Sequence, residues 1–298
     1  MSSALVITLI SQTGLSQAAI AAASDALRAA GGSLVHEAGL DPPHAHDLFV
    51  EGLSQPAARA AVEAIAHGFD VVAQRTGPHR RKRLLVADMD STMIGQECID
   101  ELADFAGKKA EISAITEAAM QGHLDFAEAL DARVAALAGL DTGAIQRCLN
   151  ERITLTPGAR TLVATMQGQG ARTVLISGGF TAFTSTIADM IGFDAQFANV
   201  LMIVDGKLTG AVAKPIVDSS AKRARLIAER QALALASEAT LAVGDGANDI
   251  PMLEAAGLGI AYHAKPTAAA AADAAIRLAS LEALLWAQGL PRAEWTQG

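Results

Sequence analysis

Cysteine is almost missing from this chain. Cys98 and Cys148 are the two among 298 residues, with no CxxC pair and no metal-ligand spacing, so a disulfide scaffold and a thiolate zinc site are both excluded, and a reducing compartment is expected. Basic residues are also in deficit: 23 Lys and Arg face 32 Asp and Glu, a net charge of -9. A general nucleic-acid binder needs clustered positive charge, so none is expected. No apolar run approaches the roughly 18 residues of a membrane helix, and no basic segment followed by an apolar stretch and a cleavage site opens the chain. The expectation is a cytoplasmic protein without membrane contact. A P-loop is lacking too, since no GxxxxGK[ST] occurs. What is plentiful is apolar residue, 51% of the chain, enough for a large core. The length suggests two domains at about 150 residues each.

The most informative stretch is Leu84-Leu85-Val86-Ala87-Asp88-Met89-Asp90-Ser91-Thr92. Small and apolar residues running into two acids read as a buried parallel strand that delivers carboxylates at its carboxyl end, where open α/β sheets place their chemistry. If the chain stays extended, Asp88 and Asp90 project to one side. Two such carboxylates repel, and a magnesium ion shared with substrate phosphate would relieve the repulsion.

Before this strand, Ala4 to Ile10 reads as a strand and Leu15 to Ala30 as a helix with Ser16 as N-cap. Two short apolar stretches around Asp41-Pro42-Pro43 read as a hairpin with a long loop. A helix from Pro56 to His67 and a strand from Phe69 to Gln74 follow. That βαββαβ order predicts a ferredoxin-like module over residues 1–78. The run His79-Arg80-Arg81-Lys82-Arg83 then reads as a solvated linker.

Residues 79–298 read as a parallel-sheet α/β domain. Apolar spacings of three and four between about 95 and 150 predict a helical insert, placed where a lid would sit. It carries Glu97 and Arg133, either of which on residue type alone is an ordinary solvent-facing charge. A second strand, Thr173 to Ile176, ends in Ser177-Gly178-Gly179, which offers a hydroxyl and bare N–H groups to an anion. Asn199 to Val212 predicts a hairpin turning at Asp205-Gly206. Asp218 caps a helix carrying Lys222 in its first turn, where a cation opposes the helix dipole unless an anion compensates it. A third strand, Thr240 to Val243, ends in Gly244-Asp245-Gly246-Ala247-Asn248-Asp249, and a fourth spans Leu258 to Tyr262. The Ala-rich run from Thr267 to Ala275 predicts an ordinary docking helix.

Asp88/Asp90, Ser177, Lys222 and Asp245/Asn248/Asp249 thus fall in order at strand ends and one helix start. In this the chain resembles the haloacid dehalogenase superfamily, whose motifs are DxD, a strand-terminal Ser or Thr, a Lys, and a late GDGxND cluster. The resemblance covers about residues 84 to 285. It implies a Rossmann-like catalytic core with a helical cap. Asp88 would be the nucleophile and Asp90 the general acid and base. Magnesium would be held by Asp88, Asp245 and the main-chain carbonyl of Asp90. Ser177, Gly178 and Lys222 would bind phosphoryl oxygens, with Asn248 beside the substrate and Asp249 behind.

Within that superfamily the phosphoserine phosphatases are the nearest resemblance. It is carried by Gly95-Gln96-Glu97, by Thr116-Glu117-Ala118-Ala119-Met120-Gln121-Gly122 before Phe126 and Arg133, and by the hairpin before Ile216-Val217-Asp218. It implies O-phospho-L-serine as substrate, hydrolysed in the last step of serine biosynthesis, with Glu97 on its ammonium and Arg133 on its carboxylate. Related small phosphates stay open, as does a regulatory protein with vestigial motifs. By element order the N-terminal module resembles ACT-type sensing domains, which implies serine feedback or dimerisation to a homodimer; simple packing is the alternative.

Overall fold

The computed structural model describes residues 4–120 and 123–298. β1 (Leu5–Ile10), α1 (Gln17–Ala29), β2 (Ser33–Asp41), β3 (Ala45–Glu51), α2 (Gln55–Glu63) and β4 (Asp70–Arg75) form the N-terminal module. Its strands pair antiparallel in the order β2-β3-β1-β4, the ferredoxin-like arrangement that the element order predicts. Ser16 and Ser54 accept the N–H groups of Ala19 and Ala57 and start the two helices. The expected long loop between β2 and β3 is instead a tight turn, because β2 runs on through Asp41 and pairs with Ala45.

β5 (Leu84–Ala87) opens the α/β half of the chain. The cap follows as α3 (Cys98–Phe105), α4 (Lys109–Met120), α5 (Phe126–Ala136) and α6 (Gly143–Glu151). Then come α7 (Ala159–Gly168), β6 (Arg172–Phe180), α8 (Thr181–Ile191), β7 (Ala195–Asn199), the hairpin β8 (Leu201–Val204) and β9 (Lys207–Val212), and α9 (Ser219–Ala232). The chain continues with β10 (Thr240–Gly244), α10 (Ile250–Ala255), β11 (Leu258–Tyr262), α11 (Pro266–Ala271), β12 (Ala274–Ile276) and α12 (Ala283–Ala287). Strands β12-β11-β10-β5-β6-β7 are parallel neighbours in that order. β5 therefore lies between β10 and β6, and the carboxyl ends of all three open on one crevice.

The two halves share one ten-stranded sheet, closed by antiparallel pairing of Val71 in β4 with Ala275 in β12. The Ala-rich run is thus a short helix followed by a strand, in place of the single helix expected. Its Ala274 and Ile276 are buried, and pairing on both sides outweighs the weak strand preference of alanine.

The basic run is only partly a solvated linker. Arg81 and Arg83 are exposed, but Arg80 grips both oxygens of Asp47 at 2.7 and 2.8 Å. Lys82 is buried, its Nζ donating to the Glu238 carbonyl at 2.9 Å. Burial pulls the Lys82 ammonium down to about 8, with Asp273 and Glu238 opposing. Asp70 completes the junction by accepting the N–H groups of Arg277, Leu278 and Ala279 at 2.8 to 3.1 Å.

Candidate active site

Asp88 leaves β5 in extended backbone, its own N–H still bonded to the Val243 carbonyl of β10. The following loop turns sharply through Ser91, which has φ 53°, a left-handed conformation that a non-glycine residue adopts at a cost. That turn sends the two acids to different partners. Asp88 Oδ1 takes the Met89 N–H at 2.8 Å and the Lys222 ammonium at 2.7 Å. Asp90 Oδ1 takes the Cys98 N–H at 2.9 Å, and its Oδ2 takes the Ser177 hydroxyl at 3.1 Å.

Ser177 lies within β6 rather than after it, since the strand runs to Phe180; its pairing with β7 breaks between Ile176 and Phe180. The interruption leaves the Ser177-Gly178-Gly179 backbone turned toward the acids. Gly179 has no room for a side chain: a Cβ there would sit 2.9 Å from Asp90 Oδ2 and 3.0 Å from Ser177 Oγ. Asn199, buried at the end of β7, bonds the Gly178 carbonyl at 2.8 Å and the Val217 N–H at 2.7 Å, so it fixes this loop to the approach of α9. Asn199 carries no motif that marks it in the sequence.

α9 points its fully buried Lys222 between Asp88 and Asp249, 2.7 Å from each. This resolves the first-turn lysine: two carboxylates compensate the dipole. Burial works against its charge, but the two acids win and raise the ammonium above its ordinary value. Asp249 spends its other oxygen on the N–H groups of Asp245 and Gly246, 3.1 Å each. With both oxygens engaged, it stands behind the site as a brace for the loop.

Asp88, Asp90, Ser177, Gly178, Asp245 and Asn248 form the floor of a 270 Å³ cavity. The cap roofs it with Glu97 and Arg133. The structure therefore gathers every residue nominated from sequence, with Lys222 and Asp249 immediately beneath. Ser91, Asp100, Phe126 and Lys265 join them. Ser91 donates to Glu97 Oε1 at 2.7 Å, and Asp100, Phe126 and Lys265 line the same cavity. Lys265 had a legible signal, because it follows β11 at the same carboxyl edge as the other motif residues. Of the cap string quoted above, Gln121 and Gly122, with the side chains of Ala119 and Met120, lie outside the described residues.

The cavity holds an excess of acid. Burial, then the charge of Asp249, drives the Asp88 carboxyl well above its usual range, with Lys222 pulling back. Burial raises Asp90 as well, against the Cys98 and Ser177 hydrogen bonds. Asp245 is pushed up to about 6 by burial and Asp249. Glu97 stands at the solvent-open mouth, yet desolvation by surrounding protein and then Asp90 push it to about 7. Burial lowers Arg133, while Asp100, Glu97 and Asp90 hold it up.

Oxygens of Asp88, Asp245 and Asp249 lie within 4.8 Å of one another. Three carboxylates packed this closely share the single Lys222 ammonium, and hard oxygen donors with charge left over fit a magnesium ion. The Asp90 carboxylate stands apart from that group, so only its main-chain carbonyl is left for the ligand role expected of it.

Residues 85–254, more than half of the chain, match the family model for haloacid dehalogenase-like hydrolases. A phosphoserine phosphatase of Streptomyces coelicolor is 43% identical over 256 residues, 85% of this chain; the chain spans 62% of that relative's length. One of a Polaromonas species is 45% identical over 208 residues, 68% of this chain and 88% of the relative. The solved structure of a probable phosphoserine phosphatase from Vibrio cholerae superposes with a TM-score of 0.73 at 32% identity, covering 96% of this chain and 88% of that one. With its four motifs gathered on one crevice, the chain belongs to the haloacid dehalogenase-like hydrolase family, among relatives named phosphoserine phosphatase.

Proposed function

We propose that the protein hydrolyses O-phospho-L-serine to L-serine and phosphate through a phosphoryl-enzyme on Asp88. The observation that carries this reading is the placement of Glu97 and Arg133 on the cap, facing Asp88, Asp90 and Ser177 across one small cavity. A carboxylate and a guanidinium opposite a phosphoryl-transfer floor suit a substrate with an ammonium, a carboxylate and a phosphate.

In the first step an Asp88 oxygen attacks phosphorus, and the bond from phosphorus to the seryl oxygen breaks. Asp90 gives its proton to that oxygen, so serine leaves neutral at the hydroxyl. Asp90, held by Cys98 and Ser177, then takes a proton from water as the water attacks phosphorus and restores Asp88. Ser177, the Gly178 backbone and Lys222 hold charge on the phosphoryl oxygens. Asp88, Asp245 and the Asp90 main-chain carbonyl would hold a magnesium ion, which when bound would supply positive charge against the phosphoryl group. Residues 1–78 are read as an ACT-type module that docks on the core, with the cap at about 95–150.

Asp245 supplies a signed pH dependence. Its carboxyl is raised to about 6 in the fold, against about 3.9 in an unfolded chain. Its ionisation therefore costs stability as pH rises from about 4 to 6, and the full cost remains above 6. A bound cation removes that cost but must displace the proton below 6, losing affinity about tenfold per pH unit. Magnesium is expected to raise the Tm clearly at pH 7.5 and little at pH 5. An equal rise at both values would remove Asp245 from the ligand set.

The activity itself is tested by phosphate release from O-phospho-L-serine, phosphothreonine, phosphohomoserine and an aryl phosphate, with and without magnesium. A magnesium-dependent preference for phosphoserine is expected. Preference for another of these would keep the family chemistry and overturn the substrate.

A further inference from the structure

We propose that Arg59, in the N-terminal module, is a positioning residue for the active site, acting through α11. This rests on the hydrolase reading above but on none of its substrate detail.

Arg59 projects from α2 and is mostly buried, 14% exposed. Its Nε bonds Glu63 Oε1 at 3.0 Å, one turn further along the same helix, which aims the guanidinium. Its two terminal nitrogens donate to the carbonyls of Ala272 and Ala269. Those carbonyls belong to the last turn of α11 and its C-cap, where a helix has no partners of its own for them and where positive charge is favoured. More than 200 residues of chain separate the donor from these acceptors.

α11 has reason to need such an anchor. It is six residues long, and a helix of that length has no independent stability in water. Its far end, about 9 Å away at 1.5 Å per residue, is the catalytic edge. Lys265, its N-cap, donates its N–H to the Asp245 carbonyl at 3.0 Å. Lys265 also lines the active-site cavity. Fixing one end of a short rod fixes the other. Arg59 thereby holds Lys265 and the Asp245 loop in register, and the N-terminal module becomes part of the catalytic apparatus rather than an appendage to it.

A double-mutant cycle with an aryl phosphate as substrate, paired with amide hydrogen exchange, tests this. Arg59→Ala and Lys265→Ala are each expected to lower kcat/KM about tenfold, and together to lower it little further. The Lys265 amide is expected to exchange about tenfold faster in Arg59→Ala than in wild type. If Arg59→Ala does not fold, Arg59→Lys keeps the charge without the two-pronged fork and enters the same cycle, with an expected loss of about threefold. Losses that multiply, a Lys265→Ala enzyme with wild-type kinetics, or an unchanged Lys265 amide would each overturn the proposal. A wild-type protein inert on every phosphate would instead strike at the hydrolase reading.

Discussion

Asp88→Asn is expected to lose about 10⁴-fold or more in kcat while keeping its fold. The amide is nearly isosteric with the acid, so the packing of β5 against β6 and β10 is preserved. An amide oxygen is a far weaker nucleophile than a carboxylate, and it cannot form the acyl phosphate that divides the reaction into two steps. Lys222 loses one of its two anionic partners but keeps Asp249 at 2.7 Å, so the buried cation is not orphaned. The fold is further protected because one charge leaves a crowded acid cluster whose members burial already disfavours. The measurement is kcat on phosphoserine with circular dichroism as the check on folding. Ordinary turnover in a folded Asp88→Asn protein would assign the nucleophile to water, with Asp88 only a ligand.

The second large effect belongs to the cap. Arg133→Ala is expected to lower kcat/KM for phosphoserine by roughly 100-fold, mostly through KM, and to change the value for an aryl phosphate by less than about threefold. A charge-assisted pair removed from a partly desolvated site costs roughly 3 kcal/mol, which corresponds to that ratio. Arg133 Nε donates to the Ala129 carbonyl of its own helix at 3.2 Å, which holds the side chain along α5 and leaves the outer nitrogens, among the described residues, for this role. Arg133→Lys is not expected to rescue, because a point charge cannot reproduce a planar two-point contact. Equal losses on both substrates would mean that Arg133 shapes the lid without reading the substrate carboxylate.

The catalytic floor was legible in the sequence because each part is a short string at a strand end. An apolar run followed by acids or by Ser-Gly-Gly states both the element and the chemistry it delivers. Lys222 was legible through a conflict, a cation in the first turn of a helix, which the structure resolves with Asp88 and Asp249. The junction between the two halves was not legible. β12 is built from alanine and isoleucine whose strand form depends on partners remote in sequence, Val71 and the β11 edge. Arg80 and Lys82 stand in a run that reads as solvated charge, and only the fold supplies Asp47 and the Glu238 carbonyl. Arg59 and Asn199 share that property: their partners remote in sequence are main-chain atoms, and backbone acceptors leave no residue type in the sequence to find.

The claim at the centre of this account is that Asp88 receives the phosphoryl group before water enters, so that serine departs first. Label exchange measures this directly. Enzyme, magnesium and unlabelled O-phospho-L-serine are mixed with isotopically labelled L-serine, and the remaining substrate is assayed for label before hydrolysis is complete. A phosphoryl-enzyme that can return its group to serine is expected to place label in phosphoserine, with no label in the Asp88→Asn protein. Rapid hydrolysis with no label entering phosphoserine would contradict the account.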